Sequence, residues 1–254
     1  MTRLTVVRAC KATWQDALSL AKPTIAQICV ETGTPGLAIG MFGPCGKVLD
    51  GYHGYRDIGK KILPDADTVF NLGSMCKGFT ALVLAVGCLV ADGKVHWDDC
   101  IDRFIQDLRG TPNGKFTIRD LLSHRSGLCR SDGLLFGSDN RLLLTKSQGI
   151  DVFAQLDAAR PPRQDFLYNN FGYHAVGGNN IGCSSTVYLF PELQSGIVVL
   201  GNALAHSDAT DWTAQVLTEA YLCGIIDPPF CQYVASAALK WTSAMESVQA
   251  VLDK

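Results

Sequence analysis

The chain has 254 residues, 47% of them hydrophobic and 18% charged, with a formal net charge of −2. Such a composition supplies a sizeable core and argues against disorder, and the near-neutral charge leaves no basic field to attract nucleic acid. The 10 cysteines form no C-x-x-C pair and do not cluster with the histidines, which argues against a zinc site.

The N-terminal eight residues lack the apolar core of an export signal, and no apolar run reaches the length of a membrane span. The cysteines therefore read as reduced thiols, and the expected location is cytoplasmic, away from membranes. Apolar positions at helical spacing, among them Leu18, Ile25, Ile28 and Cys29, predict a helix over residues 13–32, with Pro23 expected to bend or split it. After the turn signal at 33–36, two strands are expected at 37–42 and 47–54, joined by a four-residue loop as a hairpin.

Residues 75–91 are apolar nearly all round, which predicts a buried helix ended at Gly93. A short helix is expected within 95–108, and another after the Thr117 cap. Residues 125–146, rich in Gly, Ser and Asp, read as a loop, and residues 150–159 as a helix stopped by Pro161 and Pro162. A second hairpin is expected from strands at 186–190 and 196–200, then helices at 208–222 and 231–252. Strands thus cluster near both ends with helices between them. This predicts an α+β fold: an antiparallel sheet formed by both chain ends, with helices packed on it, in a single domain over 1–254.

The chemistry is concentrated in four segments. Ser74 and Lys77 lie three residues apart, on one face if the segment is helical. A serine hydroxyl is a poor nucleophile until a neighbouring base takes its proton, and a lysine does so when burial or a nearby cation disfavours its charged form. S-x-x-K alone recurs by chance. Three further segments give it weight: residues 120–128, reading D-L-L-S-H-R-S-G-L; Tyr168-Asn169-Asn170; and residues 177–182, reading G-G-N-N-I-G.

In order and type these segments resemble the serine β-lactamase and penicillin-binding protein superfamily, closest to its class C-like esterases and transesterases. The run L-L-S-H-R-S-G-L, similar to that group's L-L-x-H-x-S-G-L, is the most specific piece. The N-N-x-G-C-S-S ending is similar to fungal members, some of which act in secondary metabolism. The resemblance covers about residues 14–222, and residues 227–254 read as an extra C-terminal helical segment. It implies a β-lactamase-like fold and the following roles. Ser74 would be the acylated nucleophile at a helix N-terminus, Lys77 the proton acceptor or its relay, and Tyr168 a partner in the proton work. Asn170 would hydrogen-bond Lys77 or the acyl group, and the oxyanion hole would use the N–H groups of Ser74 and Gly178. His124 looks structural in this family. Read without the family, Tyr168 is a half-buried tyrosine, Asn170 a turn residue, Gly177-Gly178 a turn, and Cys76 a buried helix residue.

The pattern breaks after Tyr168-Asn169-Asn170. The family inserts a long stretch before its third motif, K-T-G or H-x-G, whereas here only residues 171–176 intervene. The helical part of the fold is accordingly expected to be reduced. Ala175 and Val176 precede the first glycine, and His174 stands one place too early. Either a shifted backbone brings His174 to the site or the third-motif cation is lost. A wider, wetter cleft weakens each electrostatic interaction, which argues against true β-lactamase activity.

The function expected is a serine hydrolase or acyltransferase acting on an ester, thioester or lactone of a small molecule through an acyl-Ser74 intermediate, without metal or organic cofactor. The alternatives are a non-hydrolytic cyclase or isomerase on the same fold and a vestigial small-molecule-binding protein. A homodimer is plausible, with the partner closing the shortened cleft.

Overall fold

The computed structural model describes residues 13–44, 46, 48–78, 86–135, 143–176, 184–203 and 206–252. Its contacts divide the chain into two compact units, one formed by Met1–Leu72 with Gly182–Lys254, the other by Gly73–Ile181.

The first unit is built on a four-stranded antiparallel sheet. Strands β1 (Gly36–Phe42), β2 (Val48–Gly54), β3 (Ser185–Phe190) and β4 (Ser195–Gly201) lie in the order β2-β1-β4-β3. Both expected hairpins form, and β1 joins them by pairing Leu37 with Gly201 and Phe42 with Gly196. Strand alternation sends Leu37, Ile39 and Met41 to one buried face. They meet Ile197 and Val199 of β4 and the apolar stripes of helix α1 (Trp14–Thr32) and two C-terminal helices.

Helix α1 starts on a reciprocal Thr13–Asp16 capping box and ends on Gly33, left-handed at φ 69°. Pro23 neither splits it nor moves its ends. The residue is solvent-exposed, so the carbonyl it leaves without an amide partner can be met by water.

The second unit is helical, with short 3₁₀ turns. Its helices are α2 (Cys76–Gly78), α3 (Val86–Ala91), α4 (Ile118–Leu122), α5 (Lys146–Gln155) and α6 (Asn170–Val176). Leu108, Leu121, Leu128, Leu135, Phe153 and Phe171 form its largest core cluster. The buried helix expected over 75–91 is described only at its ends. In α3 the expectation of burial all round fails, because Cys88 and Leu89 face solvent. Gly93 does end it, at φ 68° with its N–H on Val90 O. The helix expected within 95–108 is two 3₁₀ turns, Ile101–Arg103 and Gln106–Leu108. Helix α5 starts four residues earlier than expected because Thr145 and Gln148 form a capping box.

The chain closes, back in the first unit, with α7 (Ala209–Cys223) and α8 (Phe230–Leu252). Phe230 and Val234 of α8 enter the same core as α1 and α7.

Candidate active site

Gly73 adopts φ 54°, a left-handed geometry that suits glycine, and opens the turn Gly73–Met75 that runs directly into α2. Ser74 therefore stands exposed at the start of a helical segment, and Lys77, three residues on, is only 8% exposed. Lys77 Nζ donates to Ser74 Oγ at 2.9 Å. The Tyr168 hydroxyl shares a hydrogen bond with the same Ser74 Oγ at 2.8 Å. The ammonium nitrogen also lies 5.2 Å from the Tyr168 ring centroid and 5.4 Å from that of Tyr173. Hydroxyl, amine and phenol thus make one continuous hydrogen-bonded chain, all in the second unit.

The surrounding sequence explains how Tyr168 is held. The L-L-S-H-R-S-G-L run folds as the end of α4 and the turn after it. His124, at φ 55°, accepts the Asn169 N–H on Nδ1 at 3.1 Å, and its carbonyl accepts the Leu167 N–H at 2.8 Å. The imidazole stacks on Tyr168 with centroids 4.3 Å apart and on Tyr173 at 5.0 Å. Two backbone bonds and a stacked face therefore fix the residues on either side of the phenol. Burial first, and the Lys77 charge second, hold the His124 pKa below the ordinary histidine value, so the ring stays neutral.

Asp120 caps α4 with Thr117 and binds Arg163 through two bonds of 2.9 Å each. Burial alone would raise the Asp120 pKa, but the Arg163 guanidinium and the Thr117 donors outweigh it and hold the carboxyl below the usual range. Arg163 is left-handed at φ 68°, its N–H bonds Arg125 O, and Arg125 Nη2 returns a bond to Arg163 O. This clamp sets the entry of the segment that carries Tyr168.

The remaining expected residues fare differently. Asn170 is 6% exposed and donates from Nδ2 to Asp132 Oδ1 at 3.0 Å, while its buried Oδ1 has no hydrogen-bond partner among the described residues. His174 falls on α6, with its side chain outside the described residues, and Gly178 lies outside them altogether. Cys76 is half-buried rather than buried. Among the described residues, no group of three or more His, Cys, Asp or Glu could hold a metal ion. No described helix is long and apolar enough to cross a membrane.

Sequence reasoning passed over four residues. Asn169 is 1% exposed and caps α6, its Oδ1 accepting the Gly172 N–H at 2.8 Å. Tyr173 donates to Leu122 O at 2.8 Å, and burial first, Tyr168 second, raise its pKa. Arg130 sets its guanidinium 5.7 Å from the Tyr168 ring centroid, and Asp132 holds both Arg130 and Asn170. Charge-bearing residues just after an L-L-S-H-R-S-G-L run were the available signal.

Residues 20–179 match the Beta-lactamase family model, a span that contains Ser74, Lys77, Tyr168 and Asn170. The chain belongs to the Beta-lactamase family. It is 31% identical over 147 residues to "Unguisins hydrolase ungD" of Aspergillus violaceofuscus, covering 55% of this chain and 25% of that protein. It is 31% identical over 128 residues to "Penicillin-binding protein 4*" of Bacillus subtilis, covering 48% of this chain and 27% of that one. The chain thus spans about a quarter of the length of these curated relatives. Among solved structures, the octameric penicillin-binding protein homologue from Pyrococcus abyssi superposes with a TM-score of 0.66 at 17% identity, covering 82% of this chain and 78% of that one. D-amino acid amidase from Ochrobactrum anthropi SV3 superposes with a TM-score of 0.52 at 25% identity, covering 65% and 44%. The antiparallel sheet with packed helices is therefore the β-lactamase fold of these Beta-lactamase family members.

Proposed function

We propose that the chain is a serine hydrolase or acyltransferase that forms an acyl-enzyme on Ser74, with an ester, thioester or lactone of a small molecule as acyl donor. The observation that carries this reading is the chain Lys77 Nζ–Ser74 Oγ–Tyr168 OH at 2.9 and 2.8 Å. Family membership and the 31% identity to a hydrolase support it. That relative also favours a role in secondary metabolism.

In the first step Ser74 Oγ attacks the acyl carbonyl carbon, and its proton passes to the Tyr168–Lys77 pair. The carbon–oxygen or carbon–sulfur bond to the leaving group then breaks, and the pair returns the proton to the departing oxygen or sulfur. Water or an alcohol attacks the acyl-Ser74 carbonyl in the second step, gives its proton to the same pair and releases the acyl group. Ser74 regains a proton as its ester bond breaks. His124, neutral and tied to the Asn169 N–H, stands outside this traffic as a positioning residue for Tyr168.

The test is mass spectrometry after treatment with a fluorophosphonate. One adduct is expected on Ser74, absent in Ser74→Ala. Undiminished labelling of the variant refutes the reading. Helix α6 favours a second reading, because the residues just before Gly177 are helical and supply no strand-borne cation. It is acid–base chemistry by Tyr168 and Lys77 without an acyl-enzyme. Under it, Ser74→Ala keeps its turnover and Tyr168→Phe loses it.

A further inference from the structure

A cavity of about 450 Å³ opens in the second unit beside the Asp120–Arg163 clamp. None of its lining residues belongs to the Lys77–Ser74–Tyr168 chain. Its walls carry five charged side chains, Asp98, Arg119, Asp120, Arg125 and Arg163.

Four of the five compensate one another. Arg119 holds Asp98 through Nε and Nη2 at 2.8 and 3.0 Å, and Arg163 holds Asp120 through two bonds of 2.9 Å. The two pairs adjoin, since Arg119 first, and Arg163 more weakly, hold the Asp98 carboxyl below the usual range. Arg125 is the fifth charge. It donates from Nη2 to the Arg163 carbonyl and has no carboxylate partner among the described residues. Three arginines against two aspartates leave one positive charge in the walls without a counter-charge.

The arginines also keep donors to spare. A guanidinium has five N–H groups, and a forked pair with a carboxylate uses two of them along one edge. Arg119 sits on α4, Arg125 in the turn after it and Arg163 in the segment leading to Tyr168, so three stretches of chain bring guanidinium groups to one space. A planar carboxylate is satisfied by a single fork. A tetrahedral oxyanion has oxygens for several donors that approach from different directions.

Displacing Asp120 from Arg163 is a costly way for an anion to enter. The Asp120 side chain is only 5% exposed, and a buried carboxylate stripped of its cation is strongly destabilising. The favourable course leaves both pairs whole and uses their outer edges. We propose that this cavity binds a tetrahedral oxyanion, a phosphate or sulfate group, through Arg125 and the outer edges of Arg119 and Arg163. The bound anion ties Arg125 to Arg163 and tightens the clamp that sets the entry of the Tyr168 segment. The site uses no atom of the Ser74 chain and stands apart from the acyl-enzyme reading.

The test is titration calorimetry of the full chain with inorganic phosphate, sulfate and acetate in turn, with sodium chloride holding the ionic strength constant. Saturable binding is expected for phosphate or sulfate, the tighter of the two naming the group, with acetate about tenfold weaker or more. In Arg125→Gln the Kd is expected to rise about tenfold or more, and Arg125→Lys, which keeps the charge and loses the fork, should fall between. Arg119→Gln, a residue outside the clamp, is expected to weaken binding as well. Arg103→Gln, whose arginine pairs with Asp99 away from the cavity, should bind as the parent does. Absence of binding, acetate binding as tightly, or an unchanged Kd in both Arg125→Gln and Arg119→Gln overturns the inference. Amide hydrogen exchange reads the effect on the clamp. The N–H groups of Leu167 and Asn169, which bond His124, are expected to exchange more slowly with the anion present, and not in Arg125→Gln. Binding that leaves their exchange unchanged overturns the tightening.

Discussion

Tyr168 stands at the centre of the proposed site, and its neighbours divide into those in its hydrogen-bonded chain and those that hold it still. Ser74 and Lys77 belong to the first group, His124 and Asn169 to the second. Tyr168→Phe keeps the ring stacked on His124 and removes only the hydroxyl. Its kcat/KM is expected to fall about a hundredfold or more with an unchanged circular dichroism spectrum. His124 leaves a different trace. Its folded-state pKa is depressed by burial and Lys77, so the unfolded chain binds the proton more readily. As pH falls through the ordinary value near 6.5, stability is lost, and the loss levels off below the depressed folded value. The urea midpoint is therefore expected to drop between pH 7.5 and 5.5, with a smaller drop in His124→Asn, a residue that tolerates the left-handed backbone at this position. Spacing made Ser74 and Lys77 legible, and their company made Tyr168 so. Arg130 and Asp132 were not legible, because they meet Tyr168 and Asn170 through loop contacts that obey no periodicity.

At the scale of elements, capping chemistry was legible in part: the Thr117 cap and Gly93 were read, whereas the Thr145 box fell in a stretch read as loop. The boxes at Thr13, Thr117 and Thr145 start α1, α4 and α5, and the glycines at 33 and 93 end α1 and α3. Helix α6 escaped sequence reasoning because Asn170 reads as a turn residue and glycines follow it at 172, 177 and 178. What starts it is Asn169 as a cap, with Phe171 and Tyr173 buried beneath it. The turn after α4 depends on Gly127, at φ 76°. A Cβ there would sit 2.2 Å from Arg160 O. Gly127→Ala is thus expected to cost about 2 kcal/mol or more, read by urea denaturation. It should also lower turnover in the remaining folded fraction, because the same strand of chain leads to Tyr168.

For the whole molecule, the pairing of β1 with β4 makes one sheet from residues far apart in sequence. Two hairpins were legible locally, since each is closed by its own turn. Their junction followed only from the placing of strands near both ends of the chain. Residues 227–254 carried no family pattern, yet Phe230 and Val234 complete the core against α1 and α7. Val234, fully buried, is expected to lose about 2 kcal/mol of stability as Val234→Ala, by urea midpoint, with no change in fluorophosphonate labelling of the folded protein.

Trp14 stacks flat on Tyr221, with centroids 3.6 Å apart, and donates its indole N–H to Phe42 O at 2.9 Å. One chromophore near the start of the chain is thereby pinned to an aromatic ring near its end. With the other three tryptophans replaced, its emission becomes an optical signal for the moment the two ends of the polypeptide find each other.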